Sequence, residues 1–98
     1  MSEFAHTLCI GAGHPALPGH FPGEPLVPGV ILLEQVALAL RGWRQQRMSR
    51  VLEAKFMAPL RPGELAQIHL SDADGTRIRF RIERNGSLLA RGLVEGAT

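Results

Sequence analysis

From Gly29 to about Arg47 the apolar residues Val30, Ile31, Leu32, Leu33, Val36, Ala37, Leu38, Ala39, Leu40 and Trp43 fall on nearly every side of a helical wheel. A helix that is apolar all round must be buried. Pro28 stands at its start, where a missing N–H costs nothing. The rhythm is different elsewhere. Phe4 to Ile10 mixes apolar and polar positions as a first strand, and Gly11 to Pro28 reads as loop. Val51 to Met57 alternates and stops at Ala58-Pro59, Pro62-Gly63 marks a turn, and Leu65 to Leu70 follows as a strand. After a hairpin turn at Asp72-Ala73-Asp74-Gly75, Arg77, Arg79 and Arg81 alternate with Ile78, Phe80 and Ile82. A period of two places the arginines on one face of a strand and the apolar groups on the other. Asn85-Gly86 is a two-residue hairpin signal leading to a last strand from about Leu88 to Val94. The economical solution is an α+β arrangement, with an antiparallel sheet curled around one central buried helix.

Length and charge narrow the class. Ninety-eight residues predict a single domain over 1–98, small enough for oligomerisation to add useful stability. No apolar run reaches the roughly 18–20 residues of a membrane span. The N-terminus lacks a basic start and apolar core of a signal peptide, and Cys9 is the single cysteine, so a reducing cytoplasm is the expected location. Cys9 is expected to pack as a small core hydrophobe. His6, His14 and His69 read as surface or strand residues, and no zinc spacing links Cys9, His14 and His20, so no metal site is expected. The net charge is only +2, with four Phe and one Trp as the aromatics, which does not favour nucleic acid. All cationic residues but Lys55 are arginines. The guanidinium fork suits carboxylates and phosphates.

Candidate chemistry lies at the entrance to the helix. The run Gly19-His20-Phe21-Pro22-Gly23-Glu24-Pro25-Leu26-Val27-Pro28-Gly29-Val30 is followed by Glu34, fourteen residues after His20. Three prolines stiffen the loop, and it carries a titratable imidazole toward a helix bearing a carboxylate. This stretch resembles the β-hydroxyacyl-acyl-carrier-protein dehydratases of fatty acid synthesis, within the hotdog-fold superfamily. The resemblance lies in H-F-P-G-x-P-x-x-P-G-V with a carboxylate at that spacing. It continues through Ala54-Lys55-Phe56-Met57-Ala58-Pro59-Leu60-Arg61-Pro62-Gly63-Glu64 and the final hairpin. Leu38 departs from the pattern, standing where the family often has a glutamine four residues after the carboxylate. The N-terminal segment of the larger housekeeping members is expected to be absent. A short stand-alone member serving fatty acid or specialised lipid or polyene synthesis is the expectation.

The resemblance implies dehydration of 3-hydroxyacyl thioesters to trans-2-enoyl thioesters, and the residues fit that chemistry. His20 is suited to act as base at C2. A carboxyl at Glu34, raised in pKa by apolar neighbours, would protonate the departing hydroxyl. Unpaired N–H groups at Gly29 and Val30 would receive the charge developing on the thioester oxygen, and Phe21 would line the substrate channel. The blander readings are a Glu34 paired with an arginine and a Gly29 serving only as helix start. Arg41, Arg44, Arg47 and Arg50 recur every third residue toward the predicted helix end. They are either a solvated, dipole-compensating end or, for Arg41, Arg44 and Arg47, a dock for an acidic acyl carrier protein. No cofactor is expected, because the phosphopantetheine arm arrives with the substrate. In the family the His and the carboxylate come from different subunits, implying a homodimer, with assembly beyond the dimer left open. The competing functions are a hotdog acyl thioesterase, against which the H-F-P-G loop argues, and a non-catalytic hotdog subunit pairing with another dehydratase-like chain. Double-bond isomerisation is a further possibility, although that relative usually has Asp in place of Glu34.

Overall fold

The computed structural model describes residues 3–11, 13 and 26–98. They form β1 (Glu3–Cys9), α1 (Gly29–Arg44), β2 (Arg47–Phe56), β3 (Leu65–Asp72), β4 (Arg77–Arg84) and β5 (Ser87–Ala97). The five strands make one antiparallel sheet in the order β1-β3-β4-β5-β2. Strands β3, β4 and β5 are neighbours in sequence and in the sheet, whereas β1 adjoins β3 and β2 lies at the far edge beside β5.

Alternation builds the core. On β3 and β4, Ala66, Ile68, Leu70, Ile78, Phe80 and Ile82 turn inward and join Val94 of β5. The helix meets them with Ile31, Leu32, Val36, Ala39 and Leu40. Asn85 and Gly86 both take positive φ, 51° and 80°, as a two-residue turn matched to the strand twist requires. Beside Phe80 the sheet has no room for a side chain at Gly92. A Cβ there would meet the Glu53 carbonyl oxygen, which adjoins the register shift between Val51 and Glu53, and would lie 2.5 Å from the Phe80 ring. Gly92→Ala is therefore expected to lower stability by about 1–3 kcal/mol or more, measured as a shift in the denaturant midpoint. An unchanged midpoint would contradict this packing.

Three expectations need correction. The helix ends at Arg44, not near Arg47, because Gln45 adopts a left-handed conformation (φ 57°) and its N–H closes on the Arg41 carbonyl at 2.8 Å. Arg47 and Arg50 lie on β2, opposite Ala97 and Glu95. The helix is also not buried all round, since Val30 is 69 % exposed and Leu38 57 %. Finally, Cys9 is exposed, because Leu8 and Ile10 take the inward positions beside it.

Candidate active site

The helix entrance is fixed from both sides. The Val27 N–H donates to the Leu60 carbonyl at 2.8 Å, so the residues leading into α1 are tied to the segment leaving β2. Pro28 is the N-cap, with φ −60° and ψ 147° and no side-chain cap. The first amides with a carbonyl acceptor are Ile31 and Leu32, both on the Pro28 oxygen at 3.0 and 3.4 Å. The N–H groups of Gly29 and Val30 have no backbone acceptor among the described residues. They combine with the positive end of the helix dipole.

Gly29 borders an apolar groove of about 370 Å³. Val27, Gly29, Leu32, Phe56, Met57 and Leu60 line it among others, and every lining residue is apolar. The Phe56 ring lies flush against Gly29, where an added Cβ would sit 2.9 Å from the ring tip. The groove thus approaches the helix backbone where no side chain intervenes. Its far wall is held by a polar clamp. Arg84 donates to the Pro59 carbonyl at 3.0 Å and to Glu64 Oε1 at 2.9 Å, and the Arg61 N–H donates to the same oxygen at 2.8 Å. That backbone bond first, and Arg84 after it, hold the Glu64 carboxyl below the usual carboxylate range. The stabilisation is present above the ordinary carboxylate pKa and is lost as pH falls through the lowered one.

Glu34 follows Val30 by one helical turn and precedes Leu38 by another, so the three share a stripe along α1. All three are exposed on the single chain. The apolar surroundings expected for Glu34 are therefore not supplied by its own described chain. Phe56 and Met57, each 48 % exposed, and Val51 at 39 % add apolar surface on and just beyond the edge strand β2. Isolated exposed hydrophobics need no explanation, but an apolar helix stripe together with an apolar edge strand does.

The structure brings together Gly29, Val30 and Glu34 as the sequence predicts. His20 and Phe21 lie outside the described residues. The arginine row is taken apart. Arg44 pairs with Asp72 and stacks over the Trp43 ring at 3.8 Å, while Arg50 reaches Glu95 at 3.8 Å. Arg41 and Arg47 make no ion pair among the described residues, so only two of the three proposed docking residues stay available. Sequence reasoning assigned no role to Phe56, Met57 or Leu60. Their signal was the Ala54–Glu64 run, whose packing against the helix entrance is a tertiary contact.

Comparison with known proteins fits this geometry. The ApeI-like family model, described as ApeI dehydratase, matches residues 2–93. The chain is 34 % identical over 71 residues to the 3-hydroxyacyl-[acyl-carrier-protein] dehydratase FabZ of Haemophilus influenzae strain PittEE, a match covering 62 % of this chain and 48 % of that protein. It thus spans about half the length of that curated relative. In fold it is similar to the dehydratase heterocomplex ApeI:P from Xenorhabdus doucetiae, with a TM-score of 0.85 and 23 % identity over 98 % of this chain and 88 % of that one. A mutant of the fluoroacetyl-CoA-specific thioesterase FlK shares the hotdog architecture at a TM-score of 0.71 and 14 % identity, over 98 % and 84 % of the two chains.

Proposed function

Because the chain belongs to the ApeI-like family of dehydratases, we propose that it removes water from 3-hydroxyacyl thioesters carried by acyl carrier protein, giving trans-2-enoyl thioesters. One observation carries the reading: an all-apolar groove opens at Gly29, where the first helix amides have no backbone acceptor among the described residues, with Glu34 further along the same helix. An acyl chain suits the groove, and a thioester oxygen suits the amides.

In this mechanism a neutral His20 imidazole takes the C2 proton. The electron pair of the C2–H bond becomes the C2–C3 double bond as the C3–O bond breaks. Glu34 delivers a proton to the departing hydroxyl, which leaves as water. Negative charge accumulating on the thioester oxygen is met by the N–H groups of Gly29 and Val30, and Phe21 borders the acyl path. Proton transfers of this kind contribute about 10²–10⁴-fold each.

The functional unit is a cytoplasmic homodimer. Val30, Leu38, Phe56 and Met57 supply the apolar surface that a second chain would cover, and that chain would desolvate Glu34. His20 of one subunit then faces Glu34 of the other. The alternative is a different chain on the same surface; the Xenorhabdus doucetiae protein is named as a heterocomplex, ApeI:P.

Mass spectrometry of a short 3-hydroxyacyl pantetheine thioester after incubation tests the reaction. The expected product is lighter by one water and keeps its thioester. The fold likeness to a thioesterase supports a second reading, in which the product is free acid and free thiol. That outcome, with no enoyl thioester, would replace the first.

Carrier docking is assigned to Arg41 and Arg47, both exposed. Reversing both charges (Arg41→Glu with Arg47→Glu) should lower kcat/KM on carrier-bound substrate by about five- to tenfold. A short pantetheine thioester should be nearly unaffected. Equal losses on both substrates would count against docking.

A further inference from the structure

The arginine alternation on β4 faces away from the helix and takes no part in the chemistry above. Cross-strand register turns it into a cluster. Arg81 lies directly opposite Arg91 of β5, and Arg91 lies directly opposite Lys55 of β2. His69 of β3 stands on the other side of Arg81, so four basic side chains form a row across adjacent strands. Arg79 stands two residues from Arg81 on the same face. Like charges directly opposite one another destabilise a sheet, and neighbouring strands are only about 4.7–4.9 Å apart.

The acidic groups nearby offset the row in part. Glu83 lies 3.5 Å from Arg81 and 3.4 Å from His69, and Glu53 lies 3.9 Å from Lys55. Arg79 and Arg91 have no ion-pair partner among the described residues. Arg79, Arg81 and Arg91 line a surface cavity of about 230 Å³, with Leu93 and Gly92 contributing apolar wall and Glu53 its one carboxylate. Three guanidinium groups around one small cavity give bidentate donors on several sides and a local charge that Glu53 in the lining and Glu83 beside Arg81 offset only in part.

We infer that Arg79, Arg81 and Arg91 form a binding site for a phosphate-ester anion on the sheet face opposite the helix. A multiply charged, tetrahedral oxyanion can accept from more than one guanidinium fork and removes the repulsion of the row. A monocarboxylate offers too little charge for three arginines and too few acceptors for their donors. The site is independent of the dehydratase reading, since no residue in it belongs to the helix or to the apolar groove.

Thermal unfolding of the full chain with pyrophosphate as probe, against sodium chloride at equal ionic strength, tests the site. The wild-type Tm should rise saturably with pyrophosphate and not with chloride. Arg91→Gln should raise the Tm of the unliganded protein by roughly 1–4 °C, because it removes a like-charge contact on two sides. It should also weaken pyrophosphate binding by calorimetry at least tenfold. Arg91→Lys, which keeps the charge but loses the fork, should bind more weakly than wild type. Sedimentation with phosphatidic acid vesicles separates the sources of the phosphate. Arg91-dependent retention identifies a lipid headgroup, and pyrophosphate binding without retention identifies a soluble ester. An equal Tm rise with chloride, or an Arg91→Gln protein that binds pyrophosphate like wild type, would overturn the inference.

Discussion

His20→Ala and Glu34→Gln should each lower turnover of a good 3-hydroxyacyl thioester by about 10²–10⁴-fold, the usual cost of removing a general base or acid. The loss should fall on kcat more than on KM, because both groups act on protons that move only in the transition state. Glu34 is exposed on the isolated chain, so its amide variant should melt within a few degrees of wild type. The two variants should also differ in pH dependence. Without His20, the limb of the profile set by a titrating imidazole should disappear, whereas Glu34→Gln should retain it. Near-wild-type turnover by either variant, shown to be folded, would remove that residue from the mechanism.

The second large effect is recovery of activity from two inactive proteins. If His20 of one subunit works with Glu34 of its partner, a heterodimer of His20→Ala and Glu34→Gln chains contains one intact pair and one doubly defective pair. Free exchange makes half of the dimers mixed, so activity per total subunit should rise from near zero to roughly a quarter of wild type, for independent sites. The exposed stripe of Val30 and Leu38 beside Glu34 is the physical reason to expect the partner there. No recovery after proven exchange would mean that both groups act within one chain. Sedimentation as a monomer at working concentration would remove the composite site altogether.

Much of this was legible because local chemistry and tertiary structure agree. Arg77 to Ile82 alternates without interruption, and Asn85-Gly86 can take the two positive φ angles that its turn demands, so β3 to β5 follow from periodicity and turn chemistry. The helix start was legible from Pro28 and the apolar run after it. Its end was not. Arg44, Gln45, Gln46 and Arg47 are all good helix formers with no Gly or Pro among them, and pairing of Arg47–Phe56 with β5 overrides that propensity. The all-round apolar helix pointed to burial, but periodicity cannot say which sides the sheet reaches, and Val30 and Leu38 stay exposed on the single chain. Gly29, Val30 and Glu34 could be placed together from sequence because a helix holds near neighbours in the chain close in space. Phe56 was not, because its contact with Gly29 joins segments far apart in the chain. The arginine row failed for the same reason as the helix end: its spacing of three has meaning only while the helix continues.

The most direct test of the central claim follows the C2 proton. Unlabelled 3-hydroxyacyl pantetheine thioester is incubated with the protein in deuterium oxide, and both recovered substrate and product are weighed by mass spectrometry. Reversible dehydration through a base at C2 predicts an enoyl thioester together with recovered substrate carrying solvent deuterium at C2, and predicts neither with His20→Ala. Thioester cleavage to free acid and thiol, with no enoyl product and no deuterium at C2, would contradict it.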